Sequence, residues 1–112
     1  MNPRLEKIAS TIKRDLAGIL RAKVSDARIG FISITDVKIS KDLEHVWIYY
    51  SQIGSENDRK RTRRGLMSAT KFIRLELGKV LHLKIVPDLR FEYDDSLEKG
   101  VKLVDRINKG LD

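Results

Sequence analysis

Residues 31–53, FISITDVKISKDLEHVWIYYSQI, carry the pattern that decides the fold. The first part, residues 31–40, is rich in β-branched residues and alternates between apolar and polar, as strands do. The phase of that alternation changes at Thr35-Asp36, which predicts a β-bulge there. A polar turn at residues 40–44 leads into a second alternating stretch, residues 45–53, so the segment predicts an antiparallel hairpin.

Helical periodicity lies on both sides of this hairpin. Upstream, apolar residues recur every three or four positions from Pro3 to Val24, and Asn2 is suited to cap the helix before Pro3 in its first turn. Downstream, the same spacing extends from about Asn57 to Leu81. Because this second segment is longer than an average helix, we expect a kink or a break inside it.

A third strand and a last helix complete the chain. Residues 83–93 alternate again. Pro87 has no backbone N–H to donate, so it is expected at an edge strand or a bulge. The long helical connection that precedes them is typical of a crossover over one sheet face. Asp95 and Glu98 fit a capping box for a C-terminal helix that extends to Leu111. Its apolar stripe either packs on its own domain or docks a partner or a second copy.

The predicted order is helix, strand, strand, long broken helix, strand, helix. It indicates the α+β class, with a three-stranded sheet whose apolar face is covered by helices. A chain of 112 residues corresponds to one domain that is large enough to bury a core. We therefore expect a single domain.

The charge balance is basic, with 23 Lys plus Arg against 16 Asp plus Glu and a formal net charge of +7. Such a field attracts nucleic acid, although an acidic membrane surface or an acidic protein also fits it. The absence of cysteine excludes disulfides, thiolate metal sites and a cysteine nucleophile. No apolar run approaches the about 20 residues that span a bilayer, and the N-terminal residues lack the apolar core of a signal peptide. We expect a cytoplasmic protein with no membrane contact.

Groups that could support catalysis are scarce. His45 and His82 lie in different predicted elements and have no metal-binding spacing between them. Asp94 and Asp95 are adjacent and are better explained as helix caps. The glycines form neither a nucleotide-binding loop nor a dinucleotide fingerprint. We expect no cofactor, no metal and no enzymatic activity.

The positive charge is concentrated in the second helical segment. Residues 59–84 contain nine basic residues and one acidic residue, a net charge of +8, whereas residues 88–112 contain five basic and seven acidic residues. A run of charge usually forms a solvated helix face. Five like charges within residues 59–64 repel one another, however, and a polyanion relieves that repulsion.

We therefore predict that this segment binds phosphates, with help from cations of the first helix. The predicted contacts of the second segment are Arg59, Lys60, Arg61, Arg63, Arg64, Lys71, Arg74 and Lys79. Those of the first helix are Arg4, Lys7 and Arg14. Aromatic residues are a second candidate, since Trp47 and Tyr49 share one strand face and bases can stack on aromatic rings, although packing in the core is the alternative.

Three motifs resemble the bacterial ribosome-binding factor A family over nearly the whole chain. They are Val37-Lys38-Ile39-Ser40-Lys41-Asp42-Leu43 in the hairpin, Ala69-Thr70-Lys71-Phe72-Ile73-Arg74 in the helix, and Leu83 to Phe91 followed by Asp94-Asp95-Ser96. The resemblance implies a single type II KH-like domain, helix-strand-strand-helix-helix-strand, over residues 1–95. Residues 96–112 would be a C-terminal helical extension of it.

The resemblance also implies a function and partners. Members of this family bind the immature small ribosomal subunit and its rRNA, assist late maturation and rRNA processing, and act in cold adaptation. An assembly GTPase is associated with their release, and we expect a monomer. Two alternatives remain: a general KH-type binder of single-stranded nucleic acid, and a protein-interaction adaptor that uses the C-terminal helix.

The resemblance further places a KH-like kink at Ala69, Thr70 and Lys71. KH domains usually grip the nucleic-acid backbone at a glycine-containing loop between two helices. Lys71 stands where this family has a glycine, and its Cβ opposes a left-handed backbone. The same lysine adds a charge at the place where RNA would approach.

Overall fold

The computed structural model describes residues 2–96. In chain order it contains α1 (Pro3–Ala22), β1 (Ile32–Ile39), β2 (His45–Gln52), α2 (Glu56–Leu81) and β3 (Asp88–Tyr93). The predicted α+β class and three-stranded sheet are confirmed. The predicted C-terminal helix falls on residues outside the described range.

β2 is the central strand of the sheet. It pairs antiparallel with β1 and parallel with β3. The register of β1 shifts between Ile34 and Asp36, which confirms the predicted bulge. The parallel pairing confirms the predicted crossover, because α2 carries the chain from the end of β2 back to the beginning of β3.

Both helices pack on one face of the sheet. The buried cluster combines three residues of α1, two of α2 and one or more of every strand. Its buried members are Ile12, Leu16, Ile19, Val37, Val46, Ile48, Ile73, Leu77 and Leu89. The second sheet face is not covered by either helix, so the described domain has two layers.

The expected break in the second helix is wrong, because α2 is one helix of 26 residues that passes through Ala69, Thr70 and Lys71. Two of these three residues, Ala69 and Lys71, favour continuation. Ala has the highest helix propensity and Lys ranks close behind it. The Thr70 hydroxyl donates to the carbonyl of Leu66 at 2.7 Å, within the same helix. The helix-helix pair implied by the resemblance is therefore a single helix in this chain.

The third strand begins at Asp88 rather than at Leu83. His82 ends α2 in a left-handed conformation, with φ 54°. The carbonyls of Val86 and Pro87 accept hydrogen bonds from the Arg74 guanidinium at 3.0 and 3.1 Å. Because these carbonyls bind a side chain, the segment before Asp88 does not continue the strand ladder.

Candidate nucleic-acid interface

A capping box fixes the start of α2 directly before the basic run. The Ser55 hydroxyl accepts a hydrogen bond from the backbone N–H of Asp58 at 3.1 Å, and the Asp58 carboxylate accepts one from Ser55 N–H at 2.9 Å. The hydrogen bond from the Ser55 backbone lowers the pKa of Asp58, so this carboxylate stays charged near the positive end of the helix dipole. The helix therefore begins at a defined position, which sets the direction of every later side chain.

The inner face of the first half of α2 is held by the loop that precedes β1. Thr62 is fully buried, and its hydroxyl accepts from Gly30 N–H at 3.1 Å and donates to the Arg28 carbonyl at 3.4 Å. Gly65 lies so close to this loop that an added Cβ would be 2.6 Å from Ile29 Cγ1. These contacts fix the rotation of α2 about its axis, so that the basic side chains between them point to solvent.

Four cations of α2, three in its first half and one just past its midpoint, have no hydrogen bond or ion pair within residues 2–96, and all four are exposed. They are Arg61, Arg63, Arg64 and Lys71, which we call the free basic cluster. Arg64 and Lys71 are two helical turns apart, and Arg61 and Arg64 are one turn apart, so their charges line neighbouring parts of the outer surface. A surface with several unpaired cations suits the phosphates of a polyanion.

Two cations at the beginning of α2 have partners. The Arg59 guanidinium lies 5.3 Å from the centre of the Tyr93 ring and donates to the Gly54 carbonyl at 3.0 Å. Lys60 pairs with Glu56 at 3.9 Å, with both side chains largely in solvent. An exposed pair of this kind is weak, because water screens it. Lys60 can therefore exchange its partner for a phosphate at small cost, whereas Arg59 joins the start of α2 to β3.

Arg74 and Lys79 are engaged with the fold. Arg74 donates to the carbonyls of the segment before β3 and lies 3.8 Å from Asp88. Lys79 lies 3.3 Å from the Glu76 carboxylate, which also accepts from Lys23 of α1 at 2.9 Å. The hydrogen bond from Lys23 is the main cause of the lowered pKa of Glu76. These two cations of the second half of α2 are therefore both bound to other groups of the protein.

Of the three predicted residues of α1, Lys7 is the one whose position relative to α2 is defined. Arg4, Lys7 and Arg14 are all exposed, but Lys7 lines an apolar groove with Leu81, at the opposite end of α2. Leu81 is about 26 Å along the helix axis from Arg64, at the usual rise per residue. The structure therefore places Lys7 away from Arg64, and Arg14 lies 3.5 Å from the Asp15 carboxylate on its own helix.

An open groove of about 730 Å³ runs between α2 and the edge strand β3. Arg63 lines it from the helix, together with Met67 and Thr70, and Phe91 and Tyr93 line it from the strand. The sequence alone does not reveal this groove, because its two walls lie far apart in the chain. The apolar residues at the inward positions of β3 were the feature of the sequence that could have indicated this groove.

Other classes of site receive no support from the part of the chain that the structure describes. Over residues 2–96, no three metal-binding side chains lie close enough together to hold an ion. No helix in the same range is long and apolar enough to span a bilayer. Within residues 2–96, the exposed and unpaired cations of α2 on a small α+β domain are typical of proteins that bind polyanions.

Comparison with known proteins identifies the family. The family model described as "Ribosome-binding factor A" matches residues 4–107. A ribosome-binding factor A from Dictyoglomus thermophilum is 46% identical over 110 residues, covering 97% of this chain and 92% of the relative. One from Geobacter sulfurreducens is 43% identical over 109 residues, covering 97% and 92%. The chain therefore belongs to the ribosome-binding factor A family.

Solved structures agree with this fold. A solution NMR structure from Thermotoga maritima, described as a putative ribosome binding factor A, has a TM-score of 0.73 at 32% identity, covering 82% of this chain and 90% of its own. A Thermus thermophilus homology model has a TM-score of 0.65 at 23% identity, covering 78% and 91%. That model of ribosome binding factor A was fitted into a cryo-EM map of a 30S complex. At this identity, the second likeness shows the fold alone.

Proposed function

We propose that this protein is a ribosome assembly factor that binds the immature small ribosomal subunit through its rRNA. The observation that carries the proposal is the free basic cluster, Arg61, Arg63, Arg64 and Lys71, on a chain of this family. Four exposed cations that have no hydrogen bond or ion pair among residues 2–96 can neutralise RNA phosphates and release counterions. The Thermus thermophilus relative, fitted into a map of a 30S complex, makes the small subunit the first partner to test.

The proposed mechanism is a shift of population without a chemical step. Contacts to phosphates carry no information about the base sequence, so the cluster would recognise the position of the RNA backbone. A protein that binds one arrangement of rRNA more tightly than another favours it by the difference in binding free energy. Maturation and rRNA processing would then proceed from the favoured arrangement. Because competing RNA pairings persist longer in the cold, the same action would matter most at low temperature.

The proposal includes a cellular setting and partners. The factor would act in the cytoplasm as a monomer and leave the subunit with the help of an assembly GTPase. Arg59, Arg74 and Lys79 would stay with their protein partners, whereas Lys60 would exchange Glu56 for a phosphate. Arg4, Lys7 and Arg14 would make separate contacts from α1.

Co-sedimentation tests this function. The pure protein is mixed at near-physiological salt with small subunits, with large subunits and with an unstructured RNA oligonucleotide. Retention on small subunits alone is the expected result. Equal retention on all three would replace the proposal with a general KH-type binder of nucleic acid. Absence of binding to every RNA would overturn nucleic-acid binding itself and favour a protein partner.

A further inference from the structure

The sheet face away from the helices has an unusual composition for a surface that neither described helix covers. Along β2 the side chains of Val46, Ile48 and Tyr50 are buried in the core, so the alternate residues Trp47 and Tyr49 lie on the other face. Both are half-buried. The proposed rRNA contacts on α2 leave these two aromatic residues without a role.

The strand register gives the two aromatic residues opposite electrostatic surroundings. Trp47 is paired with Lys38 on β1 and with Arg90 on β3. Directly paired residues of neighbouring strands project from the same face, with Cβ atoms about 5 Å apart. One row across the sheet is therefore a cation, an indole and a second cation, which we call the Trp47 row.

The next row has the opposite charge. Tyr49 is paired with Asp36 and with Glu92, and these two carboxylates oppose any anion placed over the phenol ring. The Lys38 ammonium reaches towards this ring and lies 5.5 Å from its centre. On the other side of Trp47, the His45 ring lies 6.1 Å away by centroids, and Asp88 is paired with His45. Of these three rows, the Trp47 row alone has a cation on each neighbouring strand, and Lys38 would turn from the Tyr49 ring to reach a phosphate there.

We propose that the Trp47 row is a second RNA site, which holds one unpaired base stacked on the indole with its flanking phosphates at Lys38 and Arg90. Aromatic faces between cations are the usual means of binding single-stranded nucleic acid. A base inside a duplex is already stacked on its neighbours, so this flat surface selects an unpaired nucleotide. The site rests on the proposed rRNA-binding function. Trp47 lies on the sheet face opposite α2, whereas Arg90, on the edge strand, also lines the groove beside α2. One protein molecule would therefore contact RNA on both sides of this edge.

The protein carries its own probe for this site, because Trp47 is its single tryptophan. The experiment titrates the full chain with an unstructured RNA hexamer and records tryptophan emission. A hexamer of the same length and charge with abasic sugars is the control. Quenching by the hexamer with bases, and not by the abasic one, is expected. Unchanged emission at a saturating concentration, or equal quenching by both, would overturn the Trp47 row as a base site.

Two matched variants add a second readout, the affinity for a labelled hexamer. Stacking of one base on an aromatic ring contributes about 1–3 kcal/mol, so Trp47→Leu should weaken binding by roughly tenfold. Tyr49→Leu, on the same strand and face, should change the affinity less than twofold. Circular dichroism melting confirms that both variants are folded. Equal losses in the two variants would overturn the assignment, because they would indicate a general effect of the sheet surface.

The same measurements separate this site from the proposed function. Loss of quenching together with retained binding to small subunits would remove the Trp47 row and leave the rRNA-binding role intact. Quenching without any preference for small subunits would support the row and overturn the assembly role. The triple variant Arg61→Ala, Arg63→Ala and Arg64→Ala should bind the hexamer more weakly and still show full quenching at saturation. Loss of quenching at saturation in that variant would overturn the independence of the two surfaces.

Discussion

The two halves of α2 both carry positive charge, and they use it differently. In the first half, Arg61, Arg63 and Arg64 have no hydrogen bond or ion pair among residues 2–96, and Lys71 of the same free basic cluster follows just past the midpoint. In the second half, Arg74 binds two backbone carbonyls and Lys79 binds the Glu76 carboxylate. The presence of a partner, and not the sign of the charge, therefore separates cations that are available to RNA from cations that hold the fold.

The largest expected effect on stability belongs to Arg74, in the second half of α2. Arg74→Met removes the guanidinium donors to Val86 and Pro87, and we expect the free energy of unfolding to fall by about 2 kcal/mol. Urea denaturation measures this loss. Arg74→Lys is the control that keeps the charge without the two-carbonyl geometry, and it should lose nearly as much.

Binding of the same variant tests the division between the halves. If Arg74 belongs to the fold, Arg74→Met in its folded state should bind small subunits within about twofold of the parent, a difference below 0.5 kcal/mol. A tenfold loss with an unchanged melting temperature would place Arg74 in the interface. That outcome would contradict the comparison.

An intermediate effect is expected at Thr62, on the inner face of the first half. Thr62→Val keeps the side-chain shape and leaves the N–H of Gly30 without its acceptor, which should cost about 1–2 kcal/mol of unfolding free energy. Thr70→Val is the matched control, because its hydroxyl donates to the Leu66 carbonyl within the helix. We expect less than about 0.5 kcal/mol for it. Equal losses in thermal or urea denaturation would refute the anchoring role of Thr62.

The smallest expected effect is a pH dependence in the second half. The hydrogen bond from Lys23 lowers the pKa of Glu76 in the folded state. Glu76 therefore contributes stability above the unfolded pKa of about 4.3, and this contribution is lost as the pH falls through the lower folded value. Between pH 5 and pH 3, the free energy of unfolding of Glu76→Gln should fall less steeply than that of the parent. Parallel stability curves for the two proteins would show that Glu76 does not contribute.

Local periodicity is sufficient to predict most of this fold. The hairpin, its bulge near Thr35 and the crossover are confirmed, because alternation and helical spacing are local signals that the tertiary structure preserves. The prediction of a helix break was wrong because length alone does not interrupt a helix when most of its residues favour helical structure. The predicted start of β3 was wrong because Arg74, more than ten residues earlier in the chain, binds the carbonyls that a longer strand would need.

The candidate site was predictable only in part. Charge density located the basic helix, since a count of Lys and Arg needs no structure. The count could not separate paired cations from unpaired ones, because a pair such as Lys23 and Glu76 joins residues that are 53 positions apart in the sequence. The separation of Lys7 from the free basic cluster likewise depends on where α1 packs against α2. Tertiary contacts, which composition does not contain, decide which cations remain available.

The most direct test of the account is the salt dependence of binding to small subunits. The parent is compared with the triple variant Arg61→Ala, Arg63→Ala, Arg64→Ala. A charge-matched control removes three exposed cations elsewhere, Arg21→Ala, Lys41→Ala and Lys84→Ala. For each protein, the logarithm of the association constant is measured against the logarithm of salt concentration.

If the free basic cluster binds rRNA phosphates, the triple variant should bind more weakly, and the magnitude of its salt slope should fall by about 2 to 3. The charge-matched control should stay close to the parent in both respects. Equal slopes and affinities for the parent and the triple variant would contradict the account. An equal loss in the control would also contradict it, because net charge alone would then explain the binding.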